Sequence, residues 1–456
     1  MRVLHLPYTY FPDPVGGTEV YVAQLARELR ARSVESVVAA PGNAAAEYEH
    51  EGTRVLRYAV GEPADRREIY DAAGNADAIR ALDAILASVR PDVAHFHAYT
   101  RGVPPEAANA ARRRGVRVVV TYHTPTVTCA RGSLIRNGEV LCDGALYVSR
   151  CARCMLRRNG LPAIAADVLG YLPVATGHLV RSIAPRAGGV ATALRMTELM
   201  DERHERVRAH FRAADAVVAP ATWVAELLTA EGVSSDRLVV SAQGIQAEPR
   251  APVVKVAGDR AVRVVLPGRY SPEKGIDTVI DAMKAIPTID IRLDIVGTEQ
   301  GEEGRRYRRA VEERARGDAR IRCLGAIAQG SVVETLADYD AVLVPSLVKE
   351  TGPLAALEAF AAGVPVIGSA LGGIPERVID GVSGLLVAAG DVAAWASALE
   401  RFASDGALRA TLSCGVRPPR KMSDVAAEMS ALYQSVAGPS PAASIAGAAE
   451  LMAGTR

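Results

Sequence analysis

Residues 341–369 read AVLVPSLVKETGPLAALEAFAAGVPVIGS. Two short apolar runs, AVLVPS and PVIGS, flank a stretch rich in Ala and Leu. This is the pattern of a strand, a helix and a second strand in a parallel sheet covered on both faces. Glu350 follows the first strand and Glu358 falls inside the helix, with Gly352 and Pro353 between them. Pro353 suits the first helical turn, where a missing N–H costs nothing, and Gly352 admits close approach of a ligand to the backbone. The free N–H groups of Gly352, Leu354 and Ala355 would then face an anion, aided by the helix dipole. A carboxylate at Glu358 would repel phosphate and suits neutral hydroxyls such as a ribose diol, while Glu350 suits a sugar on the other side. An ordinary capped surface helix accounts for the spacing equally well.

The same alternation extends outward. Upstream, VRVVLPGR, IRLDIVG and IRCLG are strands separated by the helices GIDTVIDAMKAI and RRYRRAVEERARG, so residues 262–412 form one doubly wound parallel-sheet domain. Before it, EPRAPVVKVAGDRA carries Pro249 and Pro252 and reads as a linker. Residues 1–245 repeat the pattern: RVLHL, SVVAAPG, RVLRYAV, PDVAHFH, VRVVVTYH and DAVVAPA are strands with amphipathic helices between them. An insert over residues 124–210 breaks that rhythm with a cysteine cluster and two or three helical runs. A last helix at 421–437 precedes an Ala-, Gly- and Ser-rich tail, 438–456, expected to be flexible. Ligands of such open sheets bind outside the strand carboxyl ends.

Composition narrows the function. The 456 residues carry 53 Lys plus Arg against 52 Asp plus Glu, a net charge of +1, which gives no general attraction to nucleic acid. Any anion must be held by local groups. The first residues lack a charged region followed by a long apolar one, and the nearest approach to a membrane span, Leu161–Val180, is broken by Asp167, Pro173 and His178. A cytoplasmic protein is expected.

LPGRYSPEKG sets Arg269 at a strand end and Lys274 at the following helix start. Two fixed cations there can neutralise a departing diphosphate, Arg as a planar fork and Lys as a compact charge. Together with GGTEVYVAQLARELRAR, the Glu350/Glu358 pair, AAGVPVIGSALGGIPE and IDGVSGLLV, this motif resembles the family 4 retaining glycosyltransferases of group 1 type, over most of residues 1–410. The resemblance implies the GT-B fold, two facing Rossmann-like domains, with the first on the acceptor side and the second binding the nucleotide sugar. It implies that Arg269 and Lys274 hold the donor diphosphate, that Glu350 contacts the donor sugar and Glu358 the ribose, and that Gly16 and Gly17 line the cleft. His123, at the end of VVVTYH, is implied to lie near the reacting carbon. The implied reaction is transfer of a sugar from a UDP- or GDP-type donor to a hydroxyl, with retained anomeric configuration and no required cofactor. By family analogy the setting is polysaccharide or cell-envelope glycan assembly. Where the family ends its first long helix with glycine, this chain has Ser33, and the stretch after Cys414 is short and proline-rich.

Four cysteines, Cys129, Cys142, Cys151 and Cys154, fall in the insert, the last two as C-x2-C. We expect them to bind a structural zinc ion, and expect Cys323 and Cys414 to be buried structural residues. The apolar runs of residues 155–200, interleaved with Arg157, Arg158, Arg181, Arg186 and Arg195, read first as extra core. Their second reading is a face for a lipid-linked glycan, with peripheral contact at the inner face of a membrane. The acceptor is thus a glycan, a lipid-linked glycan or a small molecule. A nucleotide-sugar epimerase on the same fold, and a non-catalytic scaffold using the cysteine module to bind partners, are the alternatives. A dinucleotide oxidoreductase is disfavoured because no strand leads into G-x-G-x-x-G.

Overall fold

A computed structural model describes residues 1–13, 16–61, 75–183, 188–251 and 261–438 of the chain. Strands β1 (Arg2–Leu6), β2 (Glu35–Gly42), β3 (Ala46–His50), β4 (Thr53–Ala59), β5 (Val93–Phe96) and β6 (Arg117–Thr121) belong to a first sheet. After a small hairpin, β7 (Ile135–Arg136) and β8 (Val140–Leu141), β9 (Ala216–Ala219) and β10 (Leu238–Val240) complete it in the order β10-β9-β6-β5-β1-β2-β4-β3. A second sheet holds β11 (Val262–Arg269), β12 (Ile291–Thr298), β13 (Ile321–Leu324), β14 (Ala341–Val344), β15 (Val366–Ser369) and β16 (Gly384–Val387), ordered β13-β12-β11-β14-β15-β16. All pairs within the second sheet are parallel.

In each sheet the first strand of the domain lies inside, and chain order runs outward on both sides except that β4 lies between β2 and β3 in the first sheet. The loops after β1 and β11 therefore open at a topological switch point, where a crevice forms at the strand ends. The glycine pair follows β1, the Arg269/Lys274 motif ends and follows β11, and Glu350 follows β14.

Strand alternation sorts the core. Leu4, Leu6, Val118 and Val120 face one helical layer with Leu82, Ala108 and Phe211, while Val3, Val38 and Val119 face the other. That other layer combines Val22, Leu25 and Leu29 of the helix Gly17–Arg30 with Met422, Val425, Met429 and Tyr433 from the helix Met422–Ala437. The last helix thus packs on the first sheet. The chain crosses beside residue 245, where Ile245 N–H donates to Arg420 O at 2.9 Å and Met422 N–H to Ile245 O at 2.9 Å.

Several expectations change. The first sheet is not wholly parallel: β3, with polar Glu47 and Glu49, pairs antiparallel to β4 at the edge, and its acidic residues hide it from a search for apolar runs. Among the described residues the insert contains five α-helices rather than two or three, Val148–Arg158, Ala163–Gly170, Val174–Ile183, Gly189–Leu194 and Met196–Ala213. Its core is small, built on Met155, Leu156, Met196 and Leu199. Much of the apolar surface expected there as core is instead exposed, including Ile164 (81%) and Ile183 (74%). Cys414 is exposed and Cys323 half-buried, because they sit on a peripheral helix and an edge strand. The tail from residue 439 and most of the linker, 252–260, lie outside the described residues.

Candidate active site

The second domain builds a charged pair. Past β11 the chain makes a short turn, Pro272–Lys274, and Gly275 follows at φ +68° with its Cα so close to β14 that a Cβ would stand 2.0 Å from Pro345 O. Only glycine fits there. Lys274 is thereby held against the loop after β14, and Leu347 N–H donates to Glu273 O at 2.8 Å. Lys274 Nζ donates to Glu350 Oε1 at 2.7 Å, and Ser346 Oγ donates to the same oxygen at 2.6 Å. Burial pushes the Glu350 carboxyl up, but Lys274, Ser346 and Arg269 together outweigh it and hold the carboxyl below its ordinary range. Arg269 itself is exposed and donates to Gln300 Oε1 at 2.8 Å. The two expected diphosphate ligands therefore differ: Lys274 is engaged with Glu350, while Arg269 stands at the rim.

The helix after Glu350 is Leu354–Ala361, with Pro353 as its N-cap rather than in its first turn. The N–H groups of Gly352, Leu354 and Ala355 take no acceptor among the described residues. Glu358 is half-buried one turn along, and burial alone pushes its carboxyl up to about 7. The two glutamates thus occupy opposite environments, one paired with a cation and one without.

The first domain closes on this loop. Thr351 Oγ1 donates to His123 O at 2.7 Å, and Trp223 Nε1 donates to Glu350 O at 2.9 Å. Gly373 N–H donates to the same carbonyl at 2.8 Å, and Glu376 accepts from Thr222 N–H at 2.9 and 3.0 Å. Gly16 N–H donates to Glu19 Oε2 at 2.9 Å, which caps the helix Gly17–Arg30. Gly17 faces the Leu354 side chain, where a Cβ would stand 3.2 Å from Cδ1. The glycine pair, His123, Lys274, Glu350 and the start of the Leu354–Ala361 helix are therefore gathered at one cleft. His123 is buried, its Nδ1 has no hydrogen-bond partner among the described residues, and burial lowers its pKa to about 3, so the ring is neutral. Gln243 Oε1, pressed against Gly352, and Ser369 Oγ, at the end of β15, are also buried without partners among the described residues.

Ser346, Gln300, Thr351, Trp223 and Gln243 escaped the sequence reading, because each acts through a contact between segments far apart in the chain. Glu376 lay inside the quoted GGIPE, which could have marked it. The H-x-H of PDVAHFH was an unused signal for His95 and His97.

Cys129, Cys142, Cys151 and Cys154 are half-buried thiols. Burial, then Cys129, then further neighbours including Cys142 and Cys154, push Cys151 up to about 12. Among the described residues, no three of these sulfurs lie within 4.8 Å of one another. A tetrahedral zinc–thiolate centre places its sulfurs about 3.8 Å apart. The four cysteines group around Cys151 but do not converge as such a centre requires.

Comparison with known proteins bears on the same segments. The family model "Glycosyltransferase Family 4" matches residues 15–169, and "Glycosyl transferases group 1" matches residues 253–415. A D-inositol 3-phosphate glycosyltransferase of Stackebrandtia nassauensis is 32% identical over 219 residues, covering 44% of this chain and 49% of that protein. A phosphatidyl-myo-inositol mannosyltransferase of Mycobacterium leprae is 30% identical over 215 residues, covering 45% and 56%. The chain spans about half the length of the curated relatives it matches. Sucrose-phosphate synthase of Thermosynechococcus elongatus superposes with a TM-score of 0.66 at 22% identity, over 95% of this chain and 98% of that one. The catalytic domain of starch synthase IV from Arabidopsis thaliana, bound to ADP and acarbose, does so with a TM-score of 0.60 at 16% identity, over 96% and 99%.

Proposed function

The chain belongs to glycosyltransferase family 4, of GT-B fold, and we propose that it moves a sugar from a UDP- or GDP-type nucleotide sugar to a hydroxyl acceptor with retained configuration. The observation that carries this reading is the Lys274–Glu350 pair at 2.7 Å beside the open N-terminus of the Leu354–Ala361 helix, facing His123. In this reading the free N–H groups, Lys274 and Arg269 receive the diphosphate. Lys274 stabilises charge as it develops on the leaving group. Glu350 accepts from sugar hydroxyls and Glu358 from the ribose. The acceptor hydroxyl approaches on the leaving-group side and passes its proton to a diphosphate oxygen, so the protein's work is positioning and charge stabilisation.

Relatives named for inositol 3-phosphate and for phosphatidyl-myo-inositol support an acceptor of polyol, glycan or lipid-linked glycan type. No single helix among the described residues is long and apolar enough to cross a membrane, but Ala163–Gly170 and Val174–Ile183 pass that test together while bent by 93°. With Ile164, Val168, Leu179 and Ile183 exposed on them, this corner supports a cytoplasmic enzyme resting on the inner face of the membrane.

The test is a donor panel. Purified protein is incubated with UDP-, GDP-, ADP- and TDP-sugars and nucleotide release is followed by mass spectrometry, with Glu350→Gln alongside. Release from one donor, lost in the variant, is expected. No release from any donor, together with no thermal stabilisation by any nucleotide, overturns the reading in favour of a non-catalytic scaffold.

A further inference from the structure

Behind His123 lies a line of buried polar groups that the proposed reaction does not use. His123 Nε2 sits 3.0 Å from His97 Nδ1, His97 Nε2 sits 3.1 Å from His5 Nδ1, and His5 Nε2 sits 3.3 Å from Ser36 Oγ. Strand pairing explains the juxtaposition. β1 lies between β2 and β5, setting His5 opposite His95, with Ser36 on the neighbouring strand, and alternation returns His97 to the His95 face. His95 is outside the line: its two nitrogens go to Tyr433 OH at 2.6 Å and Thr121 Oγ1 at 2.7 Å. His5, His95 and His97 bring three ring nitrogens within 4.8 Å, a spacing that also suits a metal ion. However, His5 and His97 direct theirs at each other, and a buried dication there would face no charged ligand.

Burial lowers the pKa of His5, His97 and His123, so each ring is neutral and carries one proton. Each ring–ring hydrogen bond needs one proton between its nitrogens. Only two arrangements satisfy the whole line. In one, Ser36 donates to His5 and every ring is protonated on Nδ1, so that His123 presents an N–H at its free Nδ1. In the other, every ring is protonated on Nε2, His5 donates to Ser36, and His123 Nδ1 presents a lone pair.

We propose that His5 and His97 are positioning residues that couple the tautomer of His123 to their own, locking all three rings together with Nδ1–H toward the bound donor. The inference rests on the glycosyltransferase reading for its ligand, and on the hydrogen-bond geometry alone for the coupling. A diphosphate in the cleft selects this direction, because it turns the positive end of the line toward the anion. His123 then donates to an oxygen of the donor sugar.

The test is long-range proton–nitrogen correlation NMR of ring-labelled full-length protein, alone and with saturating UDP. We expect His5, His97 and His123 to share one tautomer in both states, Nδ1–H when UDP is bound. In His97→Phe, which cuts the line between His123 and His5, the His123 ring is expected to lose its single tautomer, whereas in Ser36→Ala, whose hydroxyl serves equally as donor or acceptor, the three rings are expected still to share one. In the donor panel kcat/KM is expected to fall about ten-fold or more in His97→Phe. Mixed tautomers among the three rings, or a His123 tautomer unchanged in His97→Phe, would overturn the relay. All three rings as Nε2–H with UDP bound would overturn its direction. The two readings separate cleanly: shared tautomers in a protein that turns over no nucleotide sugar keep the coupling and remove the transferase assignment.

Discussion

At the scale of single residues, the two glutamates show how one sequence motif holds two chemistries. Glu350 is drawn down by Lys274 and Ser346 despite its burial, so it is ionised and directed at neighbouring donors. Replacing it by Ala is expected to lower transfer on the order of a hundred-fold or more with the fold intact, since the lost contacts belong to the cleft. Donor-dependent nucleotide release together with an unchanged circular dichroism spectrum would check this; full activity would remove Glu350 from the mechanism. Glu358 runs the other way. Its folded pKa of about 7 exceeds the ordinary 4.5. Between those values the native state binds more protons than the unfolded state, so stability is present below pH 4.5 and is lost as pH rises through about 7. Glu358→Gln is therefore expected to be more stable than the parent above pH 7, with the difference closing toward pH 4.5. Urea titrations at several pH values read this directly, and parallel stability curves for the two proteins would contradict it.

Among the elements, the end of the helix Gly17–Arg30 carries a local misfit. Ser33 N–H donates to Arg30 O and Val34 N–H to Leu29 O, the paired bonds of a Schellman turn, and Ser33 takes φ +57° to make them. An L-residue with a side chain pays in strain for that conformation. Ser33→Gly is expected to stabilise the protein by about 0.5–1 kcal/mol, seen as a raised midpoint in urea. In the insert, we propose that zinc draws the four grouped thiols together. Metal analysis of untagged protein is expected to find one equivalent, lost in Cys151→Ser/Cys154→Ser; near-zero metal in the parent would end the idea. These elements also mark what the sequence can disclose. The Lys274 and Glu350 loops were readable because strand, turn and helix follow one another within a few residues, and their motif types are local. The order β5-β1-β2 is not local. It alone sets His5 beside His97 and Ser36, and no pattern along the chain reports it. The cap at Ser33 lay between these cases: its position was visible as a missing glycine, but its backbone angle was not.

The whole molecule combines a cleft clamped by contacts from both domains with an apolar corner on one of them. The loop of Glu350 is tied to the first domain by Trp223 and Thr351, and that same domain carries the exposed corner of Ala163–Gly170 and Val174–Ile183. A surface seated on the corner would therefore be held in register with the domain that ties down the Glu350 loop. Net charge supplies little of the attraction, since acids and bases balance across the chain; the apolar side chains must supply it. Burying each exposed Ile, Val or Leu in the interface is worth roughly 1.5–2 kcal/mol, or about ten- to thirty-fold in affinity per residue. The protein is thus expected to float with vesicles of phosphatidylglycerol and phosphatidylcholine. The triple variant Ile164→Ser/Val168→Ser/Leu179→Ser is expected to remain in the soluble fraction, with nucleotide release toward a small soluble acceptor unchanged. Because these residues contribute nothing to the insert's buried core, the variant should melt at the parent temperature. Equal flotation of parent and variant, or no flotation of either, would leave the corner without a lipid role and return the acceptor to the soluble class.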